Sequence, residues 1–294
     1  MLSAQNLGRA VSKDLKQIDT LRWLLEQSTL PFALPKGVTM ESLRVWGMDA
    51  EWVIPANADG KKAILFLHGG GYTVGSLQTH RAMVAKLALE AGIAALAIDY
   101  RLAPEHRFPA ALEDALHGYQ YLLEKGYSAE NITLVGDSAG GGLIMATLLT
   151  MQELDISLPS AACLMSPWLD LTFSAPSAQL YADDDPIVTI PDVTPWASAY
   201  AGEYDLTHPM ISPLFGELKD LPPLFVQVSD HEVLTDDSLR LDARIREAGG
   251  QIEVQVWEGM IHVWQLFWRY IPEGLQAIQE MAAFIKAPRL QTVS

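Results

Sequence analysis

Six apolar runs of strand length, at residues 63–67, 93–98, 132–135, 161–165, 224–228 and 252–257, alternate with longer helix-like stretches along this chain. Strands apolar on both faces must be buried between two layers, and strands separated by helices pair side by side in the same direction. The alternation therefore predicts an α/β fold with a mostly parallel central sheet flanked by helices. Two regions stand outside the rhythm. Before the first run, apolar positions at helical spacing (Leu15, Ile18, Leu21, Leu24 and Leu25) precede a break at Pro31 and Pro35, which predicts a short helical prelude. From about residue 172 to 213, an Asp183-Asp184-Asp185-Pro186 segment, several prolines and the aromatics Phe173, Tyr181, Trp196, Tyr200 and Tyr204 read as an insertion between core strands. The 294 residues suffice for one large domain or two small ones, with a sizeable core in either case.

Two glycine motifs follow predicted strands. The first is His68-Gly69-Gly70-Gly71-Tyr72, directly after 63–67. Successive glycines let a backbone approach a ligand closely and aim its N–H groups at one point, which is what stabilising an oxyanion requires. A glycine run alone is also what a flexible loop looks like. The second is Gly136-Asp137-Ser138-Ala139-Gly140, between an apolar strand and a small-residue helix. There the flanking glycines permit a sharp strand-to-helix turn that projects a serine hydroxyl from the sheet edge. Such a serine suits nucleophilic chemistry once a base lies within reach.

Composition narrows the partners. A formal charge of −16, with no basic cluster to offset it, repels phosphate backbones and anionic lipid surfaces and excludes nucleic acid as a partner. A neutral small-molecule substrate fits better. No apolar run reaches the roughly 20 residues of a spanning helix, so no membrane insertion is expected. Residues 1–20 lack the apolar centre of a secretory signal, and Cys163 is the only cysteine, so cytoplasmic residence is expected. Cys163 lies in an apolar run and reads as a buried structural thiol. No His/Asp/Glu/Cys set has metal-ligand spacing, Asp183 to Asp185 read as solvated residues, and Gly140-Gly141-Gly142 lacks the dinucleotide-turn pattern. No cofactor and no metal are expected.

The two motifs, together with Asp99-Tyr100-Arg101-Leu102-Ala103-Pro104-Glu105-His106 and Gly259-Met260-Ile261-His262, occur in the order seen in the bacterial hormone-sensitive-lipase-like esterases. The chain resembles that family, a branch of the α/β-hydrolases, across residues 68–262. The resemblance implies a serine carboxylesterase on an α/β-hydrolase fold, with oxyanion donors at the backbone N–H groups of Gly70, Gly71 and Ala139. His68 and the 99–106 segment are implied to brace the site. Residues 1–45 and the insertion at about 172–213 are implied to form a helical cap over a catalytic domain spanning 46–294. A homodimer is common in such esterases and is expected as an option here.

In this superfamily the order is serine, acid, histidine. Ser138 is then the nucleophile, and His262, beyond the last strand, is the general base; His208 and His231 come too early. The acid lies in Ser229-Asp230-His231-Glu232-Val233-Leu234-Thr235-Asp236-Asp237. Aligning Leu234 and Asp236 with the family's D-P-L-x-D puts Glu232 on the catalytic position, where the family usually has aspartate, and Val233 where it has proline. Asp230 stays open as the alternative, and Asp236 and Asp237 read as helix-start residues. The expected reaction is hydrolysis of short- to medium-chain acyl esters through an acyl-enzyme. Two further readings remain: a lactone hydrolase using the same chemistry, and a non-catalytic hydrolase-fold ligand-binding protein, which retention of His262 argues against.

Overall fold

The computed structural model describes residues 15–288. Its strands are β1 (Val38–Val45), β2 (Met48–Pro55), β3 (Ala63–Leu67), β4 (Ala94–Ile98), β5 (Ile132–Asp137), β6 (Ala161–Met165), β7 (Leu224–Ser229) and β8 (Ile252–Trp257). The helices are α1 (Ile18–Thr29), α2 (Leu77–Ala91), α3 (Ala110–Glu124), α4 (Ala139–Glu153), α5 (Pro176–Leu180), α6 (Ile190–Ala201), α7 (Thr235–Glu247) and α8 (Pro272–Lys286). All eight strands join one sheet in the order β1-β2-β4-β3-β5-β6-β7-β8. From β4 through β8 every pairing is parallel, whereas β2 pairs antiparallel with both β1 and β4.

The six predicted runs are β3 to β8. Every residue of β3, β4, β5 and β6 is buried, because helices cover both faces. One apolar layer gathers side chains of α3, α4 and the insertion; the other gathers α2 and α8, with Cys163 inside it. Each fully buried Leu, Ile or Phe in these layers contributes about 1.5–3 kcal/mol of burial free energy. Helix α4 is buried almost all round, so its sequence needs no polar stripe, and the Thr147 hydroxyl donates back to the Leu143 carbonyl at 2.7 Å.

The segment expected as an N-terminal cap, 1–45, divides. Its residues 1–14 lie outside the described part of the chain, α1 covers a cavity described below, and 38–45 is the edge strand β1. The boundary is corrected because β1 pairs on one side only and alternates half-buried with exposed positions, so it carries no continuous apolar run. The insertion at 172–213 holds α5 and α6 and no strand, lying between β6 and β7. Among the described residues no helix is long and apolar enough to cross a membrane.

Candidate active site

The parallel strands all end on the same edge of the sheet, and four of them deliver the residues singled out above. Strand β5 ends at Asp137 and α4 begins at Ala139, leaving Ser138 alone at the turn with φ 51° and ψ −122°. A non-glycine residue rarely adopts a positive φ, and here neighbouring backbone holds it in place. Ser138 N–H donates to the Met165 carbonyl at 2.8 Å, and its own carbonyl accepts from Trp168 N–H at 2.9 Å. Gly140 is required at this turn, since a Cβ there would run into the carbonyls of Leu67 and His68.

Strand β3 delivers the glycine loop. Gly70 (φ 114°) and Gly71 (φ 59°) turn the chain, and Thr73 and Val74 N–H groups donate to the Gly70 carbonyl at 3.1 and 2.9 Å. The loop is anchored from three sides. Asp137 accepts the Gly69 N–H at 3.0 Å and faces His80 Nε2 at 3.2 Å. The His68 ring stacks on Tyr100 with centroids 4.2 Å apart, while the Tyr100 hydroxyl donates to the His68 carbonyl at 2.6 Å. Burial, reinforced by nearby His80, pushes the His68 pKa down to about 3, so the ring is neutral. From above, Trp196 of α6 covers Gly71 so closely that a Cβ there would meet its indole, and Tyr200 stacks on Tyr72 at 3.7 Å.

The acid loop follows β7. Glu232 is fully buried: its Oε2 accepts from the Ser166 hydroxyl at 2.9 Å, and its Oε1 lies 3.5 Å from His262 Nδ1. Asp230 turns away to accept the Gly259 N–H at 2.8 Å and to meet His231 at 3.2 Å. His262 follows β8 and is buried. Burial works to lower its pKa, but the Glu232 carboxylate, aided by Asp185 and Asp137, outweighs this and raises it above the ordinary 6.5. The Ser166 hydroxyl also accepts the Val263 N–H at 3.3 Å, so one side chain touches both the acid and the histidine's neighbour.

Ser138, Gly70, Gly71 and His262 line one cavity of about 530 Å³. Ala139 is buried at the first turn of α4 beside it. The remaining walls are mainly apolar and come from α1 (Leu21, Leu25), from Phe32, and from the insertion (Ile187, Val188, Trp196). Arg22 fixes α1 over the site by donating to the Thr73 and Ala103 carbonyls, at 2.8 and 2.9 Å, and to both oxygens of Glu105 at 2.8 Å. The 99–106 segment thus braces the site through Tyr100 and Glu105.

Four contributors escaped sequence reasoning. Ser166 stands immediately after β6, at the strand end where α/β sheets place their chemistry, and that position was the available signal. His80 sits on α2 with no motif to mark it, and Trp196 stood out only as one of the insertion's aromatics, with nothing to tie it to Gly71. The fourth, Asp185, is a correction: expected to be solvated, it is 1% exposed and accepts N–H groups from Ile187 and Val188, both at 2.9 Å. The signal was the following proline, since an Asp before Pro commonly folds back on the N–H groups of its own turn. Among the described residues no group of three or more His, Cys, Asp or Glu is placed to hold a metal ion.

Known proteins match along nearly this whole framework. A family model described as the alpha/beta hydrolase fold matches residues 64–266. An acetyl-hydrolase of Streptomyces hygroscopicus is 41% identical over 81% of this chain and 79% of its own length. An esterase of Acinetobacter venetianus is 34% identical over 90% of this chain and 88% of its own. Among solved structures, an esterase from the bacterial hormone-sensitive lipase family superposes with a TM-score of 0.89 at 38% identity, covering 96% of this chain and 97% of that one. An esterase/lipase from an uncultured bacterium gives 0.88 at 40% identity, covering 92% and 90%. With its eight-stranded sheet, its serine turn and these relatives, the chain belongs to the α/β-hydrolase family and, within it, to the bacterial esterases of the hormone-sensitive-lipase type.

Proposed function

We propose that this esterase hydrolyses short- to medium-chain acyl esters with Ser138 as nucleophile, His262 as general base and Glu232 as the acid that orients it. One observation carries the reading: Ser138, at a strained turn, shares a cavity with His262, whose Nδ1 faces the fully buried Glu232 carboxylate at 3.5 Å. A buried carboxylate in that position holds the imidazole with Nδ1 protonated and Nε2 free to take a proton, and stabilises the imidazolium that forms.

Ser138 Oγ attacks the ester carbonyl as His262 removes its proton. The oxyanion is stabilised by backbone N–H groups of Gly70, Gly71 and Ala139. His262 then gives the proton to the leaving alcohol, and the same imidazole activates water to release the acid from Ser138. Asp230 is the weaker candidate for the acid because its carboxylate is committed to Gly259 N–H and to exposed His231. The apolar walls suit an acyl chain, and α1 with the insertion forms the cap that encloses it.

Hydrolysis of p-nitrophenyl butyrate tests the roles. Ser138→Ala removes turnover by about four orders of magnitude or more, and Glu232→Gln lowers kcat roughly a thousandfold. Asp230→Asn leaves kcat within about threefold, because it changes a turn rather than the imidazole's partner. A larger loss in Asp230→Asn than in Glu232→Gln would move the acid to 230.

A further inference from the structure

The acid loop is held from the insertion as well as from the core. The peptide after Glu232 is gripped at both ends: Val233 N–H donates to Asp185 at 3.1 Å, and the Val233 carbonyl accepts from the Ser177 hydroxyl at 2.9 Å. Both partners belong to the insertion and both are buried, at 1% and 3% exposure. The grip extends on each side. The other Asp185 oxygen holds the N–H groups of Ile187 and Val188, whose side chains form cavity wall. Ser177 exchanges bonds with Asp236 in both directions: its N–H donates to the Asp236 carboxylate at 2.8 Å, and its hydroxyl accepts the Asp236 N–H at 3.1 Å.

Neither side chain reaches a reacting atom, yet together they fix the loop that carries Glu232. We infer that Asp185 and Ser177 are positioning residues for the catalytic acid, so that seating of the insertion on the sheet and alignment of Glu232 with His262 are one event. The inference rests on the triad reading above. Its physical basis is the sensitivity of the contact: at 3.5 Å the Glu232–His262 pair stands at the outer limit of a hydrogen bond, so an outward shift of the loop parts it, and a displacement of about 1 Å in a catalytic arrangement costs on the order of a hundredfold in rate. Charge-assisted bonds from a buried carboxylate to backbone N–H groups supply a rigid anchor for such a loop. A cap that merely roofed the pocket would need no contact with the peptide beside the acid.

The test is a pair of double-mutant cycles on p-nitrophenyl butyrate hydrolysis across pH, with Ser177→Ala and Asp185→Asn each made alone and with Glu232→Gln. Asparagine keeps one oxygen for Ile187 and Val188 N–H and loses the acceptor for Val233, so the insertion keeps its own turn. Three carboxylates, Glu232, Asp185 and Asp137, raise the His262 pKa against the effect of burial. Only the alanine variant leaves all three in place, so its pH profile reads the position of Glu232. Each single variant is expected to lower kcat about tenfold or more with KM nearly unchanged, and Ser177→Ala to move the acid limb of kcat/KM to lower pH. With Glu232→Gln already present, each should cost no more than about twofold, since its effect runs through that side chain. Equal losses in both backgrounds, or raised KM at unchanged kcat and midpoint, would overturn the inference. If Glu232→Gln alone retained full kcat, the triad reading itself would fall.

Discussion

Ser138 occupies a backbone conformation that costs on the order of 1–3 kcal/mol for a non-glycine residue, and the sheet around it bears that cost. Its proposed base, His262, is tuned in the opposite sense from His68. Both rings are buried; burial, aided by nearby His80, drives His68 down to about 3, while the carboxylates near His262 outweigh burial and carry it above 6.5. A general base works only when neutral. The acid limb of kcat/KM is therefore expected at a midpoint above 6.5, with activity lost as pH falls through it and Ser138 unassisted below. A pH profile with p-nitrophenyl butyrate checks this, and a midpoint below 6.5 would mean that the working imidazole does not face a charged Glu232. At this scale the sequence was informative where chemistry forces a motif. Ser138, His262 and the glycine loop stand in such motifs, and the structure collects them on one cavity. A following proline and a strand end mark the positions of Asp185 and Ser166, but their partners lie 48 and 66 positions away in sequence, a relation no local pattern encodes.

Each site element is fixed at its strand end and then tied to a neighbour. The clearest tie joins β5, β3 and α2, where the buried Asp137 carboxylate bridges Gly69 N–H and His80. Burial works to raise the Asp137 pKa, but His80, His68 and the Gly69 N–H outweigh it and hold the group below its ordinary value. By linkage, that contribution to stability is present above the unfolded carboxylate pKa of about 3.9 and is lost as pH falls through the lower folded value. Asp137→Ala leaves two buried partners unsatisfied and should cost about 3 kcal/mol or more in urea unfolding near neutral pH. A loss under about 1 kcal/mol would show that the loop is held by its other contacts. The buried strands were legible because complete burial leaves an uninterrupted apolar run. Strands β1 and β2 were not, since an edge hairpin buries part of one face and its polar alternation resembles any half-exposed segment.

At the scale of the whole molecule, the proposed preference for short- to medium-chain esters follows from how the cavity is walled. The cavity is bounded by core elements below and by α1 with the insertion above, and Arg22 and the Asp185–Ser177 contacts secure that roof. p-Nitrophenyl butyrate is expected to give a higher kcat/KM than p-nitrophenyl palmitate, whose long chain would have to run past the roof formed by α1 and the insertion. A maximum at palmitate would require the roof to open much further than this arrangement suggests. The insertion was recognisable as a break in rhythm, but its contacts were not, because which cap residue meets which core loop is decided only by packing.

The order of the sheet carries one more implication. Glycine loop, serine, acid and histidine follow β3, β5, β7 and β8, so the functional groups are brought together only when strands far apart in the chain have found their places side by side. Strand β8, the last in sequence, lies at the sheet's edge and is followed by His262, the proposed base. A partly assembled chain without it would resemble the native protein in secondary structure yet, on the proposed mechanism, turn over nothing. Recovery of activity after denaturation is thus expected to be a stricter clock of completed folding for this enzyme than any helix signal, because it requires all of these strands to be in place.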